Sequence, residues 1–307
     1  YVEYLVAGNL VGTDRSGTAA IPNTGHGIGV GTGPTDMVRI GGSDPLDRNI
    51  ISGNSADGMF LFSSVNTTIF NNLIGANLSL SPLGNGGNGI SISQLYAYST
   101  AVGGAAETAN VIANNGGTGV RVNNGFGGGP SYFNSIRGNS IYNNGALGID
   151  LNAGSAFNPP DGVTANDCLD PDSGANGFQN YPSLLSAVQN GGGNAVVTGY
   201  LRSQVAEDYD LDFYSNPTPE SNNYGEGAVY IGSLRIKTNG SGFRSFQFTS
   251  DHPVTNLNIT ATATDSFGNT SEFSCVAGLC DDPVITIEQA EIVYGTSICA
   301  DPIVVNV

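Results

Sequence analysis

The sequence contains no tryptophan, only 2 histidines, and 9 lysines and arginines against 26 acidic residues. Nucleic-acid binding requires clustered basic side chains facing the phosphates, so a net charge of −17 argues against nucleic acid as a partner. No run of about 18 apolar residues occurs, and we therefore predict no membrane span in this segment. Apolar residues at helical spacing are scarce too, so we expect almost no helix.

Cysteine is also scarce, and the 4 copies lack the paired spacing of a zinc site. We predict disulfides, which favour an extracellular location, either secreted or on a bacterial cell surface. Cys275 and Cys280 can close a small loop, and Cys168 and Cys299 a long one. The other connectivities and buried free thiols stay open as alternatives.

Glycine is abundant, with 45 copies, and a pattern of glycine, apolar, any residue, apolar recurs along the first half. The copies begin at Gly27, Gly58, Gly89, Gly119 and Gly148. Such alternation is typical of a short strand with one buried face, and steps of 29 to 31 residues indicate a solenoid. The segment Tyr1–Asp14 already fits the repeat, so we expect a mature or trimmed chain whose leader and earlier repeats are missing.

Asparagine forms two further periodic sets between these strands. The first set is Asn9, Asn49, Asn72, Asn110 and Asn139. The second set, five residues later in each repeat, is Asp14, Asn54, Asn77, Asn115 and Asn144. Stacked repeats would align each set into a column of hydrogen-bonded side chains, so we predict two polar ladders. A third group of apolar pairs supplies a third strand per turn, and a match between alternate repeats predicts longer loops on every second turn.

The charge changes near residue 155, which marks a change of domain. Residues 1–155 carry 8 acidic and 5 basic side chains, whereas residues 156–307 carry 18 and 4. We predict a solenoid over 1–155, a polar linker and cap over 156–182, and an immunoglobulin-like β-sandwich over 183–276, where short alternating stretches are separated by Gly, Asn and Pro. Residues 277–307 are predicted to be a strand-like tail or the start of a further domain.

Several phrases of the sequence resemble those of a known family. They are Asn9–Asp14, Arg48–Asn54, Gly177–Pro182, Thr260–Asp265 and Gly268–Ser274. They resemble bacterial secreted parallel β-helix repeat proteins of the type often headed by a CSLREA motif. The resemblance implies a large exported or surface-attached modular protein, without a generally established reaction. The expected fold class is all-β: a right-handed three-stranded parallel β-helix, pectate-lyase-like, followed by an immunoglobulin-like sandwich.

Enzymes with this fold include pectate lyases and polygalacturonases, so catalysis has to be argued from a site. The stretch Gly25–Gly27, with His26 at its centre, resembles a polygalacturonase motif, and Arg235–Lys237 resembles its basic triplet. The two stretches lie some 210 residues apart, and no paired aspartates precede the histidine. On the outward strand face only Arg121 and Asp150 are placed to cooperate, and a cross-strand ion pair is the simpler interpretation.

A calcium site is the best metal candidate in the sequence. Asp170, Asp172 and Asn176 are closely spaced oxygen ligands in a turn that contains glycine, with Asp161 and Asp167 nearby. The turn lacks a terminal glutamate at loop spacing, and an ordinary acidic turn is the alternative interpretation. Calcium is therefore the one cofactor that we consider, and we consider it only as a hypothesis.

Aromatic residues in predicted loops offer a glycan platform, because sugar rings stack on flat apolar faces. The residues are Tyr96, Tyr98 and Phe126, and local packing of the loops is the alternative. The leading hypothesis is a non-enzymatic, adhesin-type scaffold that presents loops to a polysaccharide or a surface protein. The alternatives are a polysaccharide lyase or glycoside hydrolase, and a filament subunit that self-assembles through its C-terminal strands.

Overall fold

The computed structural model describes residues 3–31, 37–62, 66–93, 99–104, 106–124, 129–155, 158–220 and 222–280. They form a parallel β-solenoid over residues 3–155, followed by antiparallel sheets. Among these residues the helices are three short 3₁₀ turns, Pro45–Asp47, Ala106–Thr108 and Ala175–Phe178. No helix in this part of the chain has the length and apolar character needed to cross a membrane. The all-β prediction is confirmed.

The solenoid contains strands in five consecutive triplets. The first two triplets are β1 (Glu3–Val6), β2 (Leu10–Val11), β3 (Ile28–Val30), β4 (Met37–Gly41), β5 (Ile50–Ile51) and β6 (Met59–Phe62). The other three are β7 (Thr67–Phe70), β8 (Leu73–Ile74), β9 (Ile90–Ser93), β10 (Thr100–Gly103), β11 (Val111–Ala113), β12 (Val120–Asn124), β13 (Asn134–Arg137), β14 (Ser140–Tyr142) and β15 (Ile149–Ser155). Each triplet gives one strand to each of three parallel sheets, ordered β1-β4-β7-β10-β13, β2-β5-β8-β11-β14 and β3-β6-β9-β12-β15.

The core of the solenoid consists of stacked apolar residues in register. Met59 pairs with Ile90, Ile90 with Val120, and Val120 with Ile149, and all four side chains are fully buried. Each strand of the third sheet is preceded by the repeated glycine, because neighbouring turns approach closely at that corner. A Cβ atom on Gly89 would lie 2.6 Å from the carbonyl oxygen of the next turn. The stacking repeats therefore select glycine at this corner.

The first predicted asparagine ladder is present. Its members are Asn9, Asn49, Asn72, Asn110 and Asn139. In each step the backbone N–H and the Nδ2 of one asparagine donate to the Oδ1 of the next; between Asn110 and Asn139 these distances are 3.0 and 2.9 Å. The amides satisfy one another inside the turn, so a polar column can run through a buried corner without unpaired donors.

The second ladder has two members that differ from the prediction. Its asparagines are Asn23, Asn54, Asn85, Asn115 and Asn144. The prediction that Asp14 and Asn77 belong to this ladder was wrong, because Asn23 and Asn85 take their places. Asp14 instead accepts hydrogen bonds from Thr18 and Ala19 N–H, and Asn77 from Ser79 and Ser81 N–H. These two residues stabilise turns in the longer loops of the first and third triplets, where Thr13 bridges Ala20 and Ala76 bridges Pro82.

Replacing a ladder member is expected to cost more than replacing a turn residue. Asn115→Ala should lower the free energy of unfolding by about 2–3 kcal/mol, because buried groups on the turns above and below lose their partners. Asn77→Ala removes a side chain whose partners are two backbone N–H groups of its own loop, with no partner on a neighbouring turn within the ranges that the structure describes, and should cost about 1 kcal/mol. Urea denaturation of both variants tests the order, and equal losses would contradict the assignment of Asn115 to the ladder.

Six longer strands form the second half: β16 (Ser183–Gln189), β17 (Asn194–Arg202), β18 (Asp208–Asn216), β19 (Val229–Lys237), β20 (Phe243–Pro253) and β21 (Asn258–Asp265). They build two antiparallel sheets, ordered β16-β17-β20 and β19-β18-β21. Alternating apolar residues of both sheets share one core. At its centre Phe213 stacks on Phe248, with ring centroids 4.1 Å apart.

One predicted disulfide is present, between Cys275 and Cys280, whose Cα atoms lie 6.0 Å apart. It closes a small loop after the last strand, as the spacing predicted. Cys168 is also disulfide-bonded. The predicted bond from Cys168 to Cys299 involves a residue outside the described part of the chain, and the predicted tail over 277–307 lies almost entirely outside it as well.

Candidate functional site

The C-terminal end of the solenoid is closed by side chains from the linker and from the second half. At the end of the second ladder, Asn144 donates its backbone N–H and its Nδ2 to Oε1 of Glu226, at 3.1 and 2.8 Å. Glu226 thus accepts the two bonds that another asparagine would accept in a further turn. A residue of the second half, 82 positions further along the chain, therefore continues the hydrogen-bond pattern of the ladder.

The other strands of the last triplet are capped in the same manner. In β13, Asn134 donates two hydrogen bonds of 3.0 Å to Oδ1 of Asn176. In β15, the Leu151 N–H donates to Oε1 of Glu272 at 2.9 Å. We call the surface formed by these contacts and by the Glu226 contact the joint. An open solenoid end exposes unpaired backbone groups, and the joint satisfies them.

Ion pairs strengthen the joint on its outer side. Arg137 at the end of β13 makes a bidentate pair with Asp212, with both N–O distances 2.8 Å, and a further bond of 2.8 Å to Asp210. The side chain of Asp212 is 2% exposed. These interactions hold the pKa of the Arg137 guanidinium well above its usual range, chiefly through the hydrogen bond to Asp212. Neither glutamate of the joint belongs to a repeat, and Arg137 takes the position that Gly103 holds on the preceding turn, so sequence periodicity gave no signal for their roles.

Two buried carboxyls in the joint have unusual acidity. Burial raises the pKa of Glu226 to about 7, against the stabilising effect of the bonds from Asn144. Burial raises the pKa of Glu272 to about 8, and the charges of Asp150 and Asp161 act in the same direction. A cavity of about 430 Å³ beside the joint is lined by Asp161 and Glu226 among others. Its acidic lining disfavours anionic ligands.

The outward face of the third sheet holds the predicted ion pair. The Nε atom of Arg121 lies 3.2 Å from Oδ2 of Asp150, and both side chains are buried. Arg121 also donates to the carbonyl oxygen of Asn158 at 2.7 Å, so the linker covers the pair. Burial raises the pKa of Asp150 to about 6. A covered pair of this kind is unavailable to a substrate.

The histidine of the polygalacturonase-like stretch lies at the opposite end of the solenoid. The His26 ring stacks on Phe60 with ring centroids 4.7 Å apart, and its Nδ1 lies 3.4 Å from a carboxylate oxygen of Asp57. Arg235 and Lys237 lie on β19 and pair with aspartates of β18. The first and last triplets are four strand spacings apart, roughly 19 Å. The structure does not bring the two stretches together.

The acidic turn within the linker brings three carboxylates together. Asp167, Asp170 and Asp172 each offer an oxygen, and these oxygens lie within 4.8 Å of one another. Asp161 instead accepts a hydrogen bond from the N–H of Ala153. The third predicted ligand, Asn176, caps Asn134 as described above, so its amide is engaged elsewhere. The structure therefore groups two of the predicted ligands with Asp167.

Burial changes the acidity of this cluster. It raises the pKa of Asp170 to about 7 and that of Asp172 to about 6, with additional repulsion from neighbouring carboxylates in both cases. The pKa of Asp167 is raised as well, also by burial. The predicted glycan platform of Tyr96, Tyr98 and Phe126 lies outside the described residues.

The fold and its closed end define the class of this protein, a parallel β-solenoid followed by antiparallel sheets. No protein-family model and no curated protein matches the chain. Among solved structures the chain is similar to the tailspike protein gp49 from Acinetobacter baumannii bacteriophage Fri1, a capsular polysaccharide depolymerase, with 9% sequence identity and a TM-score of 0.14. The match covers 82% of this chain and 57% of that chain. A likeness at this level carries no argument about activity.

Proposed function

We propose that this protein is a non-enzymatic, extracellular or cell-surface scaffold, in which a rigid solenoid presents its loops to a polysaccharide or a surface protein. We further propose that it belongs with the secreted β-helix repeat proteins that its sequence resembles. The observation that carries the scaffold proposal is how the charged side chains of the solenoid are used. Arg121 and Arg137 hold buried or half-buried aspartates, and His26 is paired and stacked.

Catalysis on a polysaccharide needs convergent acid and base groups that a substrate can reach. Within the described residues, the acidic cluster of Asp167, Asp170 and Asp172 lies in the linker and not on a solenoid face. The two columns of asparagines in the solenoid are engaged in ladders between turns. This distribution of charge favours a structural role over a lyase or hydrolase. The filament hypothesis rests on strands outside the described residues and gains no support from the fold.

The second half is proposed to be an immunoglobulin-like spacer. One sheet is ordered first-second-fifth strand, like A-B-E of an immunoglobulin sandwich, and the other fourth-third-sixth, like C′-C-F of the variable type. The segment after β21 runs beside it, with Ser271 and Ser274 N–H groups donating to Ala263 and Ala261. A seventh paired segment in that position supports the immunoglobulin-like assignment, and the joint fixes the spacer to the solenoid.

A glycan array tests the scaffold proposal against the enzymatic alternative. We expect intact protein to bind a subset of polysaccharides and to release neither unsaturated nor reducing-end products from them. The binding should survive His26→Ala, which removes an exposed side chain without opening a buried pair. Product release that is lost in His26→Ala would overturn the proposal and assign the chain to the enzymatic β-helices.

A further inference from the structure

The acidic turn contains oxygen atoms whose hydrogen-bonding capacity is not used. Asp170 is 5% exposed, and its Oδ2 accepts bonds from Gln179 Nε2, Asn180 N–H and Ser203 Oγ. Its Oδ1 is buried and has no hydrogen-bond partner among the described residues, and the same is true of Oδ1 of Asp167. A buried carboxylate oxygen without a partner is costly, because water no longer solvates its charge.

In the described part of the chain, no salt bridge to a basic side chain is found for this cluster. The ion pairs found among the described residues do not include Asp167, Asp170 or Asp172. Three carboxylates within 4.8 Å of one another repel when ionised. Either protons or a cation must compensate them, and a cation satisfies the unpaired oxygens as well as the charge.

We propose that Asp167, Asp170 and Asp172 bind a calcium ion. Two oxygens that are each 2.3–2.6 Å from one ion are at most about 5 Å apart, which the cluster already meets. Magnesium demands shorter distances of 2.0–2.1 Å and near-ideal octahedral geometry, and it gives up its waters reluctantly, so three carboxylates of different burial suit calcium better. Asp172 is exposed, and its side of the cluster leaves room for the water ligands that complete a calcium shell.

The ion would fasten the linker to the second half. Ser203, which donates to Asp170, follows β17, and its Oγ also shares a hydrogen bond of 2.8 Å with the hydroxyl of Tyr209 in β18. Asn180 donates to the carbonyl oxygens of Asp167 and Arg202. The same turn leads within a few residues to Asn176, which caps the solenoid. Calcium therefore stabilises the joint from the side of the linker.

Calcium titration of the intact chain tests this site. After treatment with EDTA, we expect CaCl₂ to bind with a Kd on the order of 10⁻⁴ M, in the range of extracellular modules, and to raise the Tm by about 5 °C at saturation. MgCl₂ at the same ionic strength should raise the Tm by less than half as much. Isothermal titration calorimetry and thermal unfolding give the two readouts.

Two variants make the result specific. Asp172→Asn removes one exposed ligand and should weaken calcium binding at least tenfold while leaving the metal-free Tm within about 2 °C. Asp251→Asn changes the net charge equally, at the far end of β20, and should keep the full calcium response. No calcium-dependent rise in Tm, equal responses to calcium and magnesium, or an unchanged response in Asp172→Asn would each overturn the proposal.

Discussion

Arg137→Met is expected to lower the free energy of unfolding by about 3–5 kcal/mol, the range found when one partner of a buried ion pair is removed. Methionine keeps most of the apolar stem, so the loss reports on the charge. The variant leaves Asp212 buried at 2% side-chain exposure without its bidentate partner. It also removes the side-chain bonds from β13 of the solenoid to β18 of the second half, while the bond from the Gly138 N–H to the Tyr214 hydroxyl remains.

The structure offers a matched control for this variant. Arg235 pairs with the same Asp210 at 3.6 Å, but its side chain is 65% exposed. Exposed pairs contribute roughly 0–1 kcal/mol, so Arg235→Met should be nearly neutral. Guanidinium denaturation of both variants measures the difference. A loss in Arg137→Met no larger than that in Arg235→Met would mean that the pair at the joint does not couple the two halves.

Much of the fold could be predicted because the solenoid repeats itself. The glycine-apolar pattern and its 29 to 31 residue step follow from the close approach of successive turns, which excludes a Cβ atom at Gly89 and its equivalents. The error in the second ladder has a physical explanation. Each asparagine of this ladder stands four residues before the repeated glycine of the following strand. The number of residues between the preceding strand and the asparagine varies, because some turns contain a longer loop there. Asn85 and Gly89 show the constant spacing.

The joint could not be predicted in the same way. Glu226 contacts Asn144 across 82 residues of sequence, and Glu272 contacts Leu151 across 121. Neither glutamate belongs to a periodic pattern. Each occurs once in the sequence, far from the repeats, and reaches the last turn of the solenoid only in the folded structure. A glutamate replaces asparagine as the last acceptor of a ladder, and sequence alone does not reveal which distant acid fills that position. For the acidic turn, the sequence located the cluster but not which of its members converge.

The stability of the joint is expected to fall as the pH rises from about 5 to about 8. The folded-state pKa values of Glu226 and Glu272 are raised from 4.5 to about 7 and about 8. Between these limits the unfolded chain has lost protons that the folded chain retains, so raising the pH favours unfolding. Below pH 4.5 both states are protonated and the effect ends. Glu226 alone contributes on the order of 3 kcal/mol across its interval.

Glu226→Gln isolates this effect from the general repulsion of a chain with a net charge of −17. The glutamine carbonyl can accept both hydrogen bonds from Asn144, so the ladder keeps its final acceptor, but the side chain no longer titrates. The nearby Glu220, which raises the pKa of Glu226, then faces a neutral group. We expect the variant to match the parent near pH 5 and to be more stable at pH 8, with a shallower dependence of unfolding free energy on pH. Parallel pH profiles for the two proteins would show that Glu226 does not retain a proton in the folded joint. The residual slope of the variant comes from Glu272 together with Asp150, Asp170 and Asp172, whose pKa values burial also raises.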